Sequence, residues 1–477
     1  LVRRLDQSNF GLYKQVFLVV STAVMLLPLG FHMSAFYFLP RERERQHQVV
    51  FNILLFHAFV ASGVGVAVAV WPGLLKTIFN SEEMTGFATR IALVILTWVV
   101  SSTLEYIAIA NHEYKLSTIV TTAGNLTRSI FFLGAAIWFG SVGSLINAGI
   151  IHGVIQVAIL LVYLNMRFPG FWRTFRWSMM REQLSYALPF GFASVLLWTQ
   201  TDMHNYFVAH HFGPAEYAIY AVGCFQIPLV IILNESVGFV MVSHVSHLQK
   251  LGNTREIIEL TARMIRKLAL PCFPLYVSLL VLGREFILTL FTSRYLASWK
   301  VFVVFLTMVP LSIAVNVYDP IIRAYAEHRY FLLKLRAVLF VGLFLALLFS
   351  TSSVGLSGVI AMVVIVSFLE RLVMILKVSA ILGVKWRDLT LLKDVGKLAI
   401  AAIVAGFVAA IIRLFLLEFR PITILVLCGV IFYVVYVGVA LLLGVLTTGE
   451  RNLLKKKLIA IQQQVFGKRT AEPMEQG

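Results

Sequence analysis

The chain has 477 residues, of which 59% are hydrophobic and only 13% are charged, and its mean hydropathy is +0.87. A soluble protein of this length needs far more polar surface, so the composition excludes a soluble globular enzyme or binding module. The formal charge of +17 is spread over many short connections rather than one patch, which argues against nucleic-acid binding. We therefore expect a polytopic α-helical membrane protein.

Thirteen apolar stretches are each long enough to cross about 30 Å of bilayer hydrocarbon as a helix. Pro or Gly interrupts several of them, which is typical of transporter helices that bend. The predicted spans are 14–38, 48–71, 88–110, 116–139, 143–165, 184–209, 214–241, 264–290, 297–322, 331–350, 354–381, 394–417 and 421–446.

The distribution of Lys and Arg predicts the orientation of these spans. Three intervening connections, 140–142, 210–213 and 351–353, carry no Lys or Arg. By the positive-inside rule the basic connections and the C-terminus are cytoplasmic. An odd number of spans then places the basic N-terminal residues on the far side, so we expect that a first helix is missing and that the complete protein has fourteen. The basic connections are 40–47, 166–183, 248–267, 323–336 and 382–397.

A short repeat suggests two similar halves. The sequence FGLY at 10–13 matches YAIY at 217–220, and each is followed by an apolar span and a charged connection. Such parallel repeats usually enclose a path between the halves. The predicted organisation is an N-terminal lobe lacking its first helix, an interfacial linker, a C-terminal lobe, two extra helices and a basic amphipathic cytoplasmic tail. These parts cover 1–166, 167–183, 184–382, 383–446 and 447–477.

Ionisable side chains inside spans are costly and therefore informative. Arg128 is a fixed cation suited to a pyrophosphate or an acidic sugar, or alternatively a structural partner of Glu105 or of a neighbouring helix. Asp202 and Glu235 could exchange protons and couple transport to a gradient. The alternative for Glu235 is a hydrogen bond to the helix break near Pro228.

Other charges have a structural alternative as well. Arg90 and Glu105 lie about 22 Å apart on one helical face and could mark two ends of a path or extend to the two interfaces. Lys14, at the outer end of its helix, could meet a substrate or extend to the headgroups.

Two sets of charges are predicted to be structural. Asp319 and Arg323 have the i, i+4 spacing of a local ion pair. Glu370 and Arg371 are adjacent and point about 100° apart, so we expect each to need its own partner.

The sequence predicts no metal site, cofactor or enzymatic activity. It has no phosphate-binding G-x-x-x-x-G-K-[ST] loop, no G-x-S-x-G elbow and no H-E-x-x-H pair. His244 and His247 are i, i+3 but have no third ligand nearby. His57 and His152 lie within spans, where packing or hydrogen bonding is the expected role.

Several segments resemble the polysaccharide and O-antigen flippases, a family of lipid-linked oligosaccharide transporters in the multidrug/oligosaccharidyl-lipid/polysaccharide (MOP) exporter superfamily. LDQSNFGLY at 5–13 is similar to the start of the family's second helix, and LSYALP at 184–189 to the start of its seventh. Asp202 followed by FGPAEYAIYA at 212–221 is similar to the join between helices seven and eight. The resemblance implies a MATE-like fold of two pseudo-symmetric six-helix lobes plus two C-terminal helices.

The function that this resemblance implies is translocation of a polyprenyl-pyrophosphate-linked oligosaccharide across a bacterial inner membrane by rocking of the lobes. The sugar would be an O-antigen, capsule or exopolysaccharide repeat unit, and the partners would be membrane lipids, a polysaccharide polymerase and glycosyltransferases. A cation-coupled drug or small-molecule antiporter of the same superfamily is the first alternative. A membrane glycosyltransferase or ligase acting on lipid-linked sugars is the second, although it is expected to have a large outer loop, and the outer loops here are short.

Overall fold

The computed structural model describes residues 1–328, 330–350, 354–447 and 449–451. These residues form seventeen α-helices joined by short connections, and no strand occurs among them. The connection at 351–353 and nearly all of the predicted tail lie outside the described residues. The helices are α1 (Gln7–Leu26), α2 (Ser34–Phe38), α3 (Gln46–Val70), α4 (Gly73–Phe79), α5 (Ala88–Ala110), α6 (Tyr114–Trp138), α7 (Val142–Arg167), α8 (Trp177–His211), α9 (Pro214–Gly223), α10 (Pro228–Lys250), α11 (Thr254–Phe291), α12 (Ser298–Leu306), α13 (Met308–Ala324), α14 (Phe331–Ser350), α15 (Leu356–Leu382), α16 (Lys393–Phe415) and α17 (Pro421–Leu442).

The all-α membrane fold predicted from the sequence is confirmed. Eleven helical segments of the described chain are long and apolar enough to cross a membrane. The predicted spans 116–139 and 184–209 are helical too, as α6 and α8, but they are not among the eleven. Both helices carry many polar residues, which lowers their hydropathy, so the predicted count of thirteen spans is not confirmed.

The predicted span 14–38 is broken in two. Its first part, α1, ends at Leu26, and α2 begins at Ser34. Between them Pro28 has no backbone N–H to continue the helix, and Leu29 and Gly30 adopt left-handed φ values of 47° and 68°. A short 3₁₀ turn, Phe31–Met33, then leads into α2. We refer to residues 27–33 as the α1 break.

The predicted span 214–241 is also two helices, α9 and α10. Ile227 is extended, with φ −83° and ψ 113°, because the ring of the following Pro228 disfavours a helical residue before it. In contrast, α11 runs unbroken through Pro271 and Pro274 for 38 residues. It includes most of the predicted basic connection 248–267, which is therefore continuous with the following span rather than separate from it.

The described chain divides into two compact units, and each is described by itself. Unit 1 contains Leu1–Gln226, Leu290–Phe305 and Ala326–Leu372, and unit 2 contains Ile227–Thr289, Leu306–Tyr325 and Val373–Gly477. The division into six-helix lobes stays a prediction.

Helix α5 is central to unit 1. It packs against α1, α3, α6 and α7. Its apolar residues recur every three or four positions, and Ile91, Ile95 and Val99 are fully buried. This central position fixes α6 and α7 beside α5, where the polar faces described below meet.

The two repeat segments are in contact within unit 1. FGLY lies at the start of α1, YAIY lies in α9, and the two helices pack side by side. A Cβ added to Gly11 would lie 1.7 Å from the carbonyl oxygen of Pro214. The backbones approach so closely that no larger residue fits at position 11 without separating the helices.

Unit 2 holds the two C-terminal helices. α16 packs against α17, and α10 packs against α13. The hydroxyl of Tyr436 in α17 donates to the Leu270 carbonyl of α11 over 2.8 Å, and Cys428 is buried with Leu282 and Ile424. These contacts attach α17 to α11.

Candidate functional site

A cavity of about 200 Å³ lies among α5, α6 and α7 in unit 1, and one residue of α1 also lines it. We call it the polar cleft. Three helices contribute to it with residues spaced three or four positions apart, so each presents one face. Its polar lining includes Ser101, Ser102 and Glu105 of α5, Ser117, Thr121, Asn125 and Arg128 of α6, and His152 and Gln156 of α7.

The lining of the cleft is continuous along α6. From Ser117 to Arg128 the helix rises about 16 Å, which is half the thickness of the hydrocarbon layer. A polar face of this length at membrane depth is costly unless it meets water, protein or a polar ligand. We therefore expect this face to meet water, protein or a polar ligand within the predicted span.

Arg128 carries the positive charge of the cleft. Its guanidinium lies 5.6 Å from the centre of the Trp98 ring, at the distance of a cation–π contact. The side chain is exposed, and no ion pair within 4.0 Å joins it to Glu105, although both line the cleft. The charge therefore faces the cleft instead of being neutralised by a carboxylate of the described chain.

Small residues bring the three helices together around Arg128. Trp98 is held by a 2.9 Å hydrogen bond from its indole N–H to the Gly149 carbonyl of α7. A Cβ on Gly153 would lie 2.2 Å from Thr97 Oγ1, so α5 and α7 can touch only because that position is glycine. At Gly124 an added Cβ would lie 3.1 Å from the Gln156 amide nitrogen, so the absence of a side chain leaves room for that amide in the cleft.

The other predicted cations of unit 1 do not line this cleft. The Arg90 guanidinium lies against α7, where a Cβ on Gly143 would come within 2.8 Å of it. Lys14 is half-buried, with its Nζ 5.6 Å from the centre of the Phe10 ring. Of the predicted path residues, the structure brings Arg128 and Glu105 to one cavity and places Arg90 and Lys14 elsewhere in the unit.

Asp202 lines a second cavity, of about 270 Å³, between α1, α8 and α14. The walls are mostly apolar and include Trp198, Met203 and Phe344. One carboxylate oxygen of Asp202 accepts a 3.4 Å hydrogen bond from Asn205. A half-buried carboxylate with this single long hydrogen bond can take up a proton or a cation.

Glu235 has a different setting in unit 2. It is exposed on α10, whereas the neighbouring Asn234 is buried and donates to Ser312 of α13 over 2.8 Å. The residues that line the Asp202 cavity all belong to unit 1. The Asp202 cavity therefore does not include Glu235, the other predicted coupling carboxylate.

The predicted structural charges form ion pairs. Asp319 and Arg323 are 2.8 Å apart in α13. The buried Glu370 binds Arg371 at 2.7 Å and Arg336 of α14 at 2.9 Å. Glu370 thus has the separate partner that was expected, Arg336, but Arg371 binds Glu370 as well, because its long side chain reaches around the helix to its neighbour.

Several ion pairs of unit 2 were not predicted from the sequence, and two of them join segments that are far apart in the chain. Glu285 of α11 is buried and pairs with Arg413 of α16 at 2.7 Å. Both residues are charges inside predicted spans, and this feature of the sequence could have identified the pair. Arg266 binds Glu450 at 2.6 Å just beyond α17. Burial raises the pKa of Glu450, but the hydrogen bonds from Arg266 and from the Thr447 backbone outweigh it and hold that pKa below its ordinary range.

The histidines do not assemble a metal site. Among the described residues no group of three or more His, Cys, Asp or Glu side chains could hold an ion. His57 is packed against Thr103, and His152 lines the polar cleft. His210 and His211 are exposed at the end of α8.

Residues 1–300 match the profile of a family described as "Polysaccharide biosynthesis protein". The chain belongs to this family. The match covers most of the chain, and the resemblance to polysaccharide flippases that was found in the sequence is confirmed. No curated protein sequence matches the chain.

Solved structures support the fold of this family member. A lipid II flippase, MurJ, in an inward closed conformation has a TM-score of 0.68 at 13% identity, over 91% of this chain and 93% of that one. An inward-facing multidrug resistance MATE family transporter of the MOP superfamily has a TM-score of 0.62 at 13% identity, over 78% of this chain and 89% of that one. A MOP superfamily transporter from Pyrococcus furiosus has a TM-score of 0.54 at 15% identity, over 79% and 88%. The chain is thus a multi-pass membrane protein with the fold of MOP transporters.

Proposed function

We propose that the protein moves a polyprenyl-pyrophosphate-linked oligosaccharide from the cytoplasmic to the outer leaflet of a bacterial inner membrane, with its own C-terminus in the cytoplasm. It acts as a transporter and not as an enzyme. The family match and the MOP fold support this assignment at the level of a lipid-linked substrate or MOP transport. The nature of the headgroup is inferred from the polar cleft.

The observation that carries the proposal is the exposed Arg128 in a cleft that six hydroxyl or amide side chains also line, together with apolar residues and Glu105. A pyrophosphate brings at least two negative charges into a region of low dielectric, and a fixed cation lowers that barrier. The planar guanidinium can bind two phosphate oxygens at once. The hydroxyl and amide groups along α5, α6 and α7 can form hydrogen bonds with a sugar without adding charge.

Alternating access requires a contact that closes one side of the path and then opens. The α1–α9 contact at Gly11 and Pro214 is suited to this task, because it joins backbones directly and uses few side chains. In the predicted topology it lies near the outer surface. We propose that it closes the outer side in the state seen here.

The Asp202 cavity supports a coupling role and keeps the antiporter alternative open. A single carboxylate among aromatic and apolar walls could exchange a proton during transport, or could bind an organic cation as in a drug antiporter. We favour coupling, because Arg128 and the hydroxyl and amide side chains of the polar cleft suit an anionic sugar lipid.

The test is a flipping assay with purified protein in vesicles that contain a fluorescent polyprenyl-pyrophosphate-linked oligosaccharide. Arg128→Lys keeps the charge and loses the planar fork, so its rate should fall below that of the wild type. Arg128→Ala should be the slowest, with a loss of roughly ten- to a hundredfold, because one charged hydrogen bond is worth about 1.5 to 3 kcal/mol.

Arg90→Ala is the matched control, since Arg90 is another exposed cation of unit 1 that does not line the cleft. It should flip at the wild-type rate. Equal rates for wild type, Arg128→Lys and Arg128→Ala at equal protein levels and thermal stability would remove Arg128 from the substrate path.

A further inference from the structure

Two histidines lie close together at the α1 break, and each has a ring nitrogen without a hydrogen-bond partner among the described residues. His57 of α3 is fully buried, and its Nδ1 lies 2.8 Å from Thr103 Oγ1 of α5. His32 belongs to the 3₁₀ turn and stacks on Tyr106 of α5 with ring centres 3.9 Å apart. The centres of the two imidazoles are 6.3 Å apart. His57 Nε2 and His32 Nδ1 are both buried, and neither has a hydrogen-bond partner in the described chain.

We propose that His32 and His57 form a proton-binding site that opens the contact between the α1 break and α8. A neutral imidazole needs one donor and one acceptor partner, so an unpaired buried nitrogen on each ring is already unfavourable. Adding a proton makes both nitrogens of a ring donors and adds a positive charge. The charge must then be hydrated or paired, and either outcome requires the turn to move.

The surroundings offer no nearby counter-charge. From α5 the titratable groups near the pair are Tyr106 and the exposed Glu105 beside it. Of the titratable groups on α2 and α8, Tyr37 and Tyr186 stack on each other. No carboxylate of the described chain lies within 4.0 Å of a nitrogen of either ring. A second proton would in addition repel the first across 6.3 Å.

The α1 break is in tight contact with α8. A Cβ on Gly191 of α8 would lie 1.8 Å from the Leu29 carbonyl oxygen, so the two backbones touch. Gln183 of α8 is buried, donates to Ser34 Oγ at 3.1 Å and accepts from Asn52 at 2.9 Å.

These contacts lie close in sequence to the two histidines. Ser34 is two residues after His32, and Asn52 is five residues before His57 on α3. A displacement of the turn therefore acts directly on the contacts of Gln183 and Gly191. In the predicted topology they close the cytoplasmic half of the molecule, so binding of a proton would favour opening on that side.

Spin labels across this contact test the proposal. Met33 and Phe192 are exposed, by 43% and 63%, on the turn and on α8, and can be replaced by Cys after Cys224, Cys272 and Cys428 are changed to Ala. The distance between the labels is measured by pulsed electron resonance in lipid nanodiscs, without substrate. On lowering the pH from about 8 to about 5, across the ordinary histidine range, a population at longer distance should appear and reverse.

His57→Gln and, as a milder change at a half-buried site, His32→Gln should each reduce this response. His112→Gln alters an exposed histidine in the connection between α5 and α6 and should leave it intact. Gln183→Ala should show the longer distance at both pH values, because it removes the contact that the proton is proposed to break. An unchanged distance in the wild type, or a wild-type response in both histidine variants, would overturn the proposal.

The importance of this site for transport rests on the proposed function, but the distance measurement does not. A protein that shows the pH response and flips no lipid-linked oligosaccharide would refute the proposed function and keep the proton site. A protein that flips the lipid but shows no pH response would refute the proton site alone.

Discussion

Arg128 differs from Arg336, Arg371 and Arg413 in what surrounds its guanidinium. Each of those three pairs with a buried glutamate, Glu370 or Glu285. Arg128 instead lies near the Trp98 ring and is open to the polar cleft. An ion pair that is internal to the protein contributes to the fold, whereas an open cation can attract an anion, so we propose that Arg128 is functional and the other three arginines are structural.

The setting of two carboxylates predicts which of them couples transport to a gradient. Asp202→Asn should reduce flipping that depends on an imposed pH gradient, because the half-buried carboxylate of the apolar cavity can no longer exchange a proton. Glu235→Gln alters an exposed side chain on α10 and serves as the control. Flipping is measured in vesicles over a range of gradients, with protein level and thermal stability checked for each variant. Normal gradient dependence in Asp202→Asn would contradict the coupling role.

At the scale of helices, the sequence predicted most of the elements because apolar length and charged connections are local signals. All the predicted spans are found as helices, although three of them are interrupted, at the α1 break, before Pro228 and between α12 and α13. The positions of the proline residues do not by themselves show which spans are interrupted. Pro271 and Pro274 are absorbed by α11, whereas Pro28 and Pro228 coincide with breaks. The outcome depends on the tertiary contacts that satisfy the freed backbone groups.

The polar cleft was only partly predictable. Arg128 and Glu105 were identified because a charge in an apolar span is visible in the sequence. The polar stripe Ser117, Thr121 and Asn125 has helical spacing and could have been found on the same helix. That α5 and α7 close around it could not have been predicted, since this depends on the contact of Gly153 with Thr97 between helices that are far apart in the chain.

The α1–α9 contact makes a prediction about a helix pair. Gly11→Val places a branched side chain where even a Cβ lies 1.7 Å from the Pro214 carbonyl oxygen, so the two helices should separate. If this contact closes the outer side, flipping should fall at least severalfold while the protein stays folded. The matched control is Gly63→Val in α3, where an added Cβ meets nothing within 4 Å. Equal flipping rates in the two variants would show that transport does not require the contact.

At the scale of the whole molecule, the alternating basic connections predict the topology. Arg173 should lie in the cytoplasm and His210 outside. Single cysteines at these positions, in a background without native cysteines, can be labelled with an impermeant reagent in intact and permeabilised cells. Labelling of position 210 only after permeabilisation would show that the orientation is the reverse of the predicted one. The same topology places Lys456 in the cytoplasm and Ser352 outside, but both positions lie outside the described residues.

The central claim is that the transported molecule is a lipid-linked oligosaccharide and not a drug-like cation. The direct measurement compares the two with the same purified protein in the same vesicles. One set carries a fluorescent polyprenyl-pyrophosphate-linked oligosaccharide, and the other is loaded with a fluorescent lipophilic cation, each with an imposed pH gradient and protein-free vesicles as the baseline. The oligosaccharide lipid should change leaflets faster than in the protein-free vesicles, whereas efflux of the cation should not exceed that baseline. Cation efflux driven by the gradient, with flipping at the protein-free rate, would contradict it and support the antiporter.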